Sequence, residues 1–349
     1  LRTELPSIID GNSPAYWSNG QLNLFHSSGV PAISRGPNQF ILVSTGDVQF
    51  DTKAHTPIWF ESVWQDDDGT LLLWYHHEPE GVCAGNTLTR PKIGAAVSTD
   101  GGATVRDLGI VLESPYPADC SAKNGFFAGG HGDVSVVLDQ QQTYFYIFFT
   151  NYGGPGAEQG VAVARVPFEK RYSPAGEAMK YFEGAWEEPG LGGRVTPIFP
   201  AGREWEREDA DSLWGPSIHW NTYLQEYVVL MNHACCATRW PQEGIYISYN
   251  PDLSQPWLWA PPAKLLDKSQ IRWAPGYYPQ VLGLYKGETD SVAGQVARFY
   301  IHGRSDWEIV FSRDASFYQE PPEPADPDPD PQPDPDPAPG PTDPSGPSL

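Results

Sequence analysis

Five stretches of the chain repeat one arrangement of apolar and polar positions. An apolar strand opens after Gly, Pro or Asp, a polar turn follows, and a second aromatic or aliphatic strand ends on His or Asn. The first is SPAYW, SNG, QLNLFHS, ending at His26, and the second is PIWFESVW, QDDDG, TLLLWYHHE, ending at His76 and His77. The third is GDVSVVL, DQQQ, TYFYIFFTN, ending at Asn151, and the fourth is GPSIHW, NTYLQE, YVVLMNH, ending at Asn232 and His233. The fifth pairs YYPQVLGL with ARFYIHG and ends at His302. Short apolar runs bounded by turn residues read as strands. A third strand is expected after each pair, at FILVS, IGAAVS, GVAVARV, GIYISY and EIVFS.

Repeats of three or four strands at intervals of roughly 50–80 residues predict an all-β fold, a five-bladed β-propeller. A β-sandwich with unrelated hairpins is the weaker alternative. Leu1–Ile9 is expected to supply a closing strand to the last blade. STDGGATV nearly fits the turn S-x-D-x-G-x-x-W, with Val105 at the aromatic position, and is read as structural.

Composition divides the chain in two. Of 349 residues, 36 are Pro and 35 Gly, and the formal charge is −22. From Glu320 onward 30 residues hold 13 Pro, 8 acids and no base. Such a segment buries too little apolar surface to offset its ordering entropy, so 320–349 is expected to be a disordered acidic linker. A further C-terminal module or anchor is an expectation that follows from it. Without those 8 acids, residues 1–319 carry −14 and form the expected propeller domain.

The acidic balance argues against a nucleic-acid partner and an anionic membrane surface. No apolar run approaches the roughly 18 residues of a membrane helix. Cys83 and Cys120 are candidates for a disulfide, and the adjacent Cys235 and Cys236 for a vicinal disulfide, free thiols or other pairings. No CxxC is present, which argues against a thiolate zinc site. The sequence starts at Leu1 without a leader and reads as a processed product. With the linker, this gives the expectation of a secreted, monomeric module.

In a propeller the starts of the inner strands and the loops after the second strands open on one face. That face is expected to gather Asp10, His131, Asp133, Asp211, Trp214, Tyr277 and Tyr278. It also gathers His26, His55, His76, His77, Glu78, Asn151, Tyr152, His233 and His302. Polar groups converging with Trp and Tyr are what a ligand site looks like.

The chain resembles the five-bladed propeller glycoside hydrolases of the arabinanase and fructosidase type. IIDGNSPAYW puts Asp10 where that family has its first Asp, and GGHGDVSVVLD puts Asp133 at its second. WGPSIHW resembles the family's Glu-Gly-Pro segment, with Trp214 in place of the general-acid Glu. The resemblance implies a glycosidase acting on a carbohydrate, with Asp10 as base and Asp133 tuning the acid. Glu243, in WPQEGIYIS, is the first substitute for the missing acid, then Asp211, then Glu61. An inverting reaction needs two carboxyls roughly 6.5–9.5 Å apart, one ionised and one protonated.

His26, Glu61, His77, His131, Trp214, His233, Tyr278, Gln280 and His302 are the expected substrate contacts, with Trp59 and Tyr277 as further stacking surfaces. No cofactor is required, although the resemblance admits calcium or another divalent metal in the central channel. Two alternatives remain: a metal-assisted polysaccharide lyase using the histidines, with Gln280 as an added ligand, and a non-catalytic carbohydrate-binding propeller. A sialidase fits less well, for want of three arginines to hold a carboxylate.

Overall fold

The structure, a computed structural model, describes residues 2–271 and 276–314. Residues 315–349, which include the acidic proline-rich segment, lie outside the described residues. The compact unit spans Leu1–Arg313.

Five sheets follow one another along the chain as five blades, each built on an antiparallel run of strands. Blade I runs outward through Ala15–Ser18, Gln21–Ser27, Pro31–Asn38 and Ile41–Asp47. Blade II is Ile58–Gln65, Leu71–His77, Lys92–Ser98 and Thr104–Leu112, and blade III starts at His131–Leu138, Tyr144–Asn151 and Gly160–Pro167. Blade IV is Ser212–Asn221, Glu226–Ala234, Gln242–Asn250 and Ala263–Asp267. Blade V has Pro279–Gly283, Val296–Ile301 and Arg304–Val310, and its fourth strand is Thr3–Glu4, paired antiparallel with Arg304 and Ser305. The expected closure of the ring by the N-terminal segment is therefore present.

One strand assignment needs correction. FILVS was expected as the third strand of blade I and is the fourth; the third is Pro31–Asn38, PAISRGPN. Its two prolines and glycine read as a turn in sequence. In the structure Pro31 begins the strand and Gly36–Pro37 sit where the register shifts between Arg35 and Asn38, which are places a strand tolerates such residues.

Five apolar layers of the core lie one between each pair of neighbouring blades. Trp74, Ile93 and Val111 of blade II meet Val134, Phe145 and Ile147 of blade III. Tyr146, Phe148 and Val161 meet Ile218, Val229 and Met231 across the next boundary. Between blades V and I, Leu282 and Tyr300 pack with Leu5, Ile9 and Leu24. Each inner sheet face is covered, so the strands read as nearly continuous apolar runs rather than alternating ones.

The STDGGATV turn joins the third and fourth strands of blade II. Asp100 accepts hydrogen bonds from the Thr104 backbone N (3.0 Å), Thr104 Oγ1 (2.7 Å) and Ser98 Oγ (2.9 Å). The Gly102 amide donates to Ser98 Oγ at 2.9 Å. These bonds hold the turn closed. Asp100→Ala is expected to destabilise the fold by about 1–2 kcal/mol, the cost of unmaking bonds to a charged acceptor; urea denaturation checks it.

Candidate active site

Inner-strand irregularity builds the site. The pairing between the first two strands shifts register between Phe60 and Ser62, between Gly132 and Ser135, and between Trp214 and Ser217. These three bulges occur at corresponding points of blades II, III and IV. A bulge re-aims side chains, and here it presents Glu61, Asp133 and the Gly215–Pro216 turn. Asp133 itself has φ of 44°, a left-handed conformation that a non-glycine residue adopts only at some cost. Gly215, at φ 57°, explains why the Gly of the WGP segment follows Trp214.

The bulges are stitched together across blades. The Val134 amide donates to Glu61 Oε2 at 2.9 Å, and the Val136 amide to Ser62 Oγ at 2.8 Å. Asn12 Nδ2 donates to the Val134 and Pro216 carbonyls, at 3.2 and 2.9 Å. Gln280 uses both ends of its amide on the backbone of Ser13, at 2.7 and 3.0 Å. Gln280 thus joins blade V to the segment entering blade I.

Above this network lies a cavity of about 300 Å³. Three carboxyls line it, those of Asp10, Glu78 and Asp133, with the imidazole of His76. Seven aromatic residues, with Thr87, Thr89 and Gly125, complete the wall. Trp59, Trp214, Tyr277 and Tyr278 were expected at the mouth; Phe126, Phe127 and Trp240 were not. Trp240 packs against Phe126 at 4.8 Å, Trp205 at 4.5 Å and Trp214 at 5.5 Å between ring centroids. It stands at the end of a loop that opens with the Cys235–Cys236 disulfide and is closed by a bond from the Cys235 amide to the Pro241 carbonyl. The Cys83–Cys120 disulfide joins the loops that precede Phe126 and Phe127.

His76 is the electrostatic hub. Its Nδ1 lies 3.1 Å from Glu61 Oε1 and its Nε2 3.1 Å from Glu78 Oε1. Burial alone would lower its pKa, but the two carboxylates outweigh that and raise it well above the usual value. Burial raises the pKa of Glu61 while His76 pulls it down, leaving it above the usual carboxylate range. Asp133 is pushed up to about 7 by burial and then by the charge of Glu61. The Tyr152 hydroxyl donates to its Oδ2. Asp10 faces solvent through the mouth, yet enough protein surrounds it that desolvation, followed by the charge of Glu78, raises its pKa too. Tyr278 Oη lies 3.4 Å from Asp10 Oδ1.

The other expected residues disperse. Among the histidines only His76 lines the cavity, and His302 stands close enough to feel the charge of Asp10. His26 is buried against Ser34 Oγ at 2.7 Å, and burial takes its pKa down to about 4. His77 Nδ1 donates to the Pro57 carbonyl at 3.0 Å. His131 Nε2 accepts from Lys180 Nζ at 3.0 Å. The expected convergence of seven histidines therefore reduces to one wall residue and one neighbour.

Asp211, His233 and Glu243 form a group of their own, outside the cavity wall. His233 Nε2 lies 2.9 Å from Asp211 Oδ1 and its Nδ1 2.8 Å from Glu243 Oε2. Glu243 also bonds Tyr246 and Lys264. Burial is the largest single influence and raises its pKa, but the bonds from Lys264, His233 and Tyr246 together outweigh it and hold it below the usual value. That is the opposite of what a proton donor requires.

Glu61, His76 and Asp133 offer ligand atoms within 4.8 Å of one another. Glu61 Oε2 accepts from the Val134 amide, Glu61 Oε1 faces His76 Nδ1 and Asp133 Oδ2 accepts from Tyr152, so most donor atoms of this group are already spent on protein partners and the group does not suit a resident metal. Asn12 Oδ1 and Ser13 Oγ are buried without a partner among the described residues. These hard oxygens fit an alkaline-earth cation or a water in the channel.

His76 had a signal in the sequence. Strand alternation puts it on the same side of its strand as Trp74, which faces blade III. Phe126, Phe127 and Trp240 had none, since they come from loops outside the repeat.

No family model and no curated protein matches the sequence. Solved structures do match in fold. The endo-arabinase from Bacteroides thetaiotaomicron superposes with a TM-score of 0.55 at 10% identity, over 89% of this chain and 97% of that one. An α-L-arabinofuranosidase from Lactobacillus brevis gives 0.53 at 12% identity, over 87% of each chain. An α-L-arabinanase mutant from Cellvibrio cellulosa gives 0.52 at 12% identity, over 88% of this chain and 96% of that one. The chain has the five-bladed β-propeller fold of these proteins.

Proposed function

We propose that the protein is a secreted glycoside hydrolase that works by inversion from the cavity at the propeller mouth. The observation that carries this reading is the meeting of Asp10, Glu78 and Asp133 with seven aromatic rings in one cavity. Aromatic faces stack on sugar rings, and paired carboxyls supply the acid and the base. The fold neighbours named above as arabinanases and an arabinofuranosidase support it. The two disulfides suit an oxidising compartment, and among the described residues no helix is long and apolar enough to cross a membrane.

Trp214 fills the place where the resemblance expects the acid, so the proton must come from another group. Asp133 is the cavity carboxyl whose pKa reaches about 7. With Oδ2 accepting from Tyr152, its proton sits on the other oxygen and passes to the leaving glycosidic oxygen. Asp10, ionised, takes a proton from the attacking water. Glu61 acts as the positioning residue behind Asp133, keeping it protonated through its charge. His76 holds Glu61 and Glu78 apart as their shared counter-charge. A channel cation, held through Asn12 and Ser13, would supply only positive potential beneath the site.

This assignment fixes a pH profile. The base must be ionised, so activity rises with pH through the raised pKa of Asp10. The acid must be protonated, so activity falls as pH passes the Asp133 value near 7. A bell with its alkaline limb near 7 is expected in kcat/KM; a profile still climbing above that limb would contradict the role of Asp133. Two observations weigh against the lyase reading. The histidines are dispersed, and among the described residues no Lys or Arg lines the cavity to hold a uronate carboxylate.

A further inference from the structure

Two histidines outside the cavity wall share an arrangement that the proposed chemistry does not use. His55, on the loop entering blade II, and His77, at the end of its second strand, lie with ring centroids 5.6 Å apart. Each ring has its Nδ1 engaged. His55 Nδ1 lies 2.7 Å from Asp107 Oδ2 and 2.9 Å from Tyr75 Oη. The single Tyr75 hydroxyl proton goes to Asp107 Oδ1, at 2.8 Å, so His55 Nδ1 carries the proton that it donates to Asp107. His77 Nδ1 lies 3.0 Å from the Pro57 carbonyl. A carbonyl only accepts, so His77 is fixed in the same tautomer. Both rings then hold a lone pair on Nε2, and neither Nε2 has a hydrogen-bond partner among the described residues.

A carboxylate or backbone carbonyl on one ring nitrogen, with a lone pair left on the other, is how metal-binding histidines are held. The spacing agrees with that use. Two imidazoles on one tetrahedral ion, with nitrogen about 2.0–2.1 Å from the metal, have ring centroids about 5 Å apart. His55 keeps 24% of its side chain exposed, which gives an ion a way in and room for water at its remaining positions. Lys92, opposite His77 on the ladder, carries positive charge, but Glu113 engages its Nζ at 2.9 Å.

We infer that His55 and His77 form a site for a borderline divalent transition ion, Zn2+ or Cu2+, bound through both Nε2 atoms and completed by water. Asp107 and the Pro57 carbonyl orient the two rings from behind. Imidazole nitrogen suits these ions and not Ca2+ or Mg2+, which take oxygen. The ion clips the entering loop to the second strand of blade II, outside the cavity wall. It takes no part in the proposed hydrolysis, and the two readings stand or fall separately.

Competition against a chromophoric chelator tests this on the intact protein, with Zn2+ as the probe and excess Mg2+ present to occupy exposed carboxylates. Wild type is expected to bind one Zn2+ per chain, and Cu2+ more tightly. His55→Ala, a change on a partly exposed loop, is expected to lose that equivalent, and His77→Gln to lose it as well. Asp107→Asn is expected to weaken it by about 10–100-fold. A purely structural role for these residues would leave Zn2+ binding at its wild-type level in the folded variants, and that result overturns the inference. So does a wild type that binds no stoichiometric Zn2+, or one whose Zn2+ is displaced by Mg2+. Imidazole 15N spectra of the wild type give a readout that needs no variant. Zn2+ is expected to shift the Nε2 signals of two of the eight histidines, and a shift of none overturns the inference.

Discussion

Asp133→Asn is expected to lower turnover of a natural glycan by about 10²–10⁴-fold, the usual contribution of a positioned proton donor. The fold should survive, because Asn keeps an oxygen to accept from Tyr152 and adds no charge to a site where burial already favours the neutral acid. The loss should depend on the leaving group. An aryl glycoside whose phenol leaves without help needs little protonation, so the deficit should shrink sharply on such a substrate. Asp10→Asn should behave differently, with a loss of similar size on both substrates, because activation of water does not depend on the leaving group. Steady-state kinetics of the two variants on matched glycosides checks this. A deficit in Asp133→Asn that is the same for every leaving group would reassign the acid, with Glu78 the next carboxyl on the wall.

Glu61→Ala is expected to be the most destabilising single change near the site. Glu61 is 1% exposed and serves the Val134 amide and His76 at once. Removing it leaves a buried amide unmatched and His76 short of one counter-charge. Breaking a buried ion pair by removing one partner costs about 3–5 kcal/mol. Glu61→Gln retains an acceptor for Val134, so a smaller loss isolates the charge. The pH dependence follows the sign of the His76 shift. Its folded pKa lies above the unfolded 6.5, so the stability it contributes is fully present below 6.5 and is lost as pH rises through the folded value. Denaturant unfolding of wild type and both variants, at acid and alkaline pH, checks the order. A Glu61→Ala protein as stable as wild type would show that His76 is not held as a cation.

The repeat made the fold legible because each blade needs apolar residues on both faces, so every inner strand announces itself as a short apolar run. PAISRGPN is not legible as a strand for the reverse reason: its prolines and glycine mark a strand end and a bulge, not a turn. Asp10 and Asp133 were legible from their segments, and Trp214 from its departure from the Glu-Gly-Pro pattern. The histidines misled because a residue at a strand end can turn toward the mouth or into the layer between blades, and His26, His77 and His131 take the second course. Glu243 was placed by the direction of its loop, whereas its partners, Lys264 and His233, became visible only in three dimensions. The aromatic wall was half legible. Trp59, Trp214, Tyr277 and Tyr278 belong to the repeat, while Phe126, Phe127 and Trp240 sit on loops stapled by the two disulfides, and pattern carries no information there.

The most direct test of the central claim is release of new reducing ends from a panel of polysaccharides, comparing wild type with Asp10→Asn. The expected result is cleavage of at least one polysaccharide by wild type, with the loss of about 10²–10⁴-fold in the variant. Wild-type binding of a polysaccharide with no new ends, or cleavage that Asp10→Asn retains in full, would contradict it.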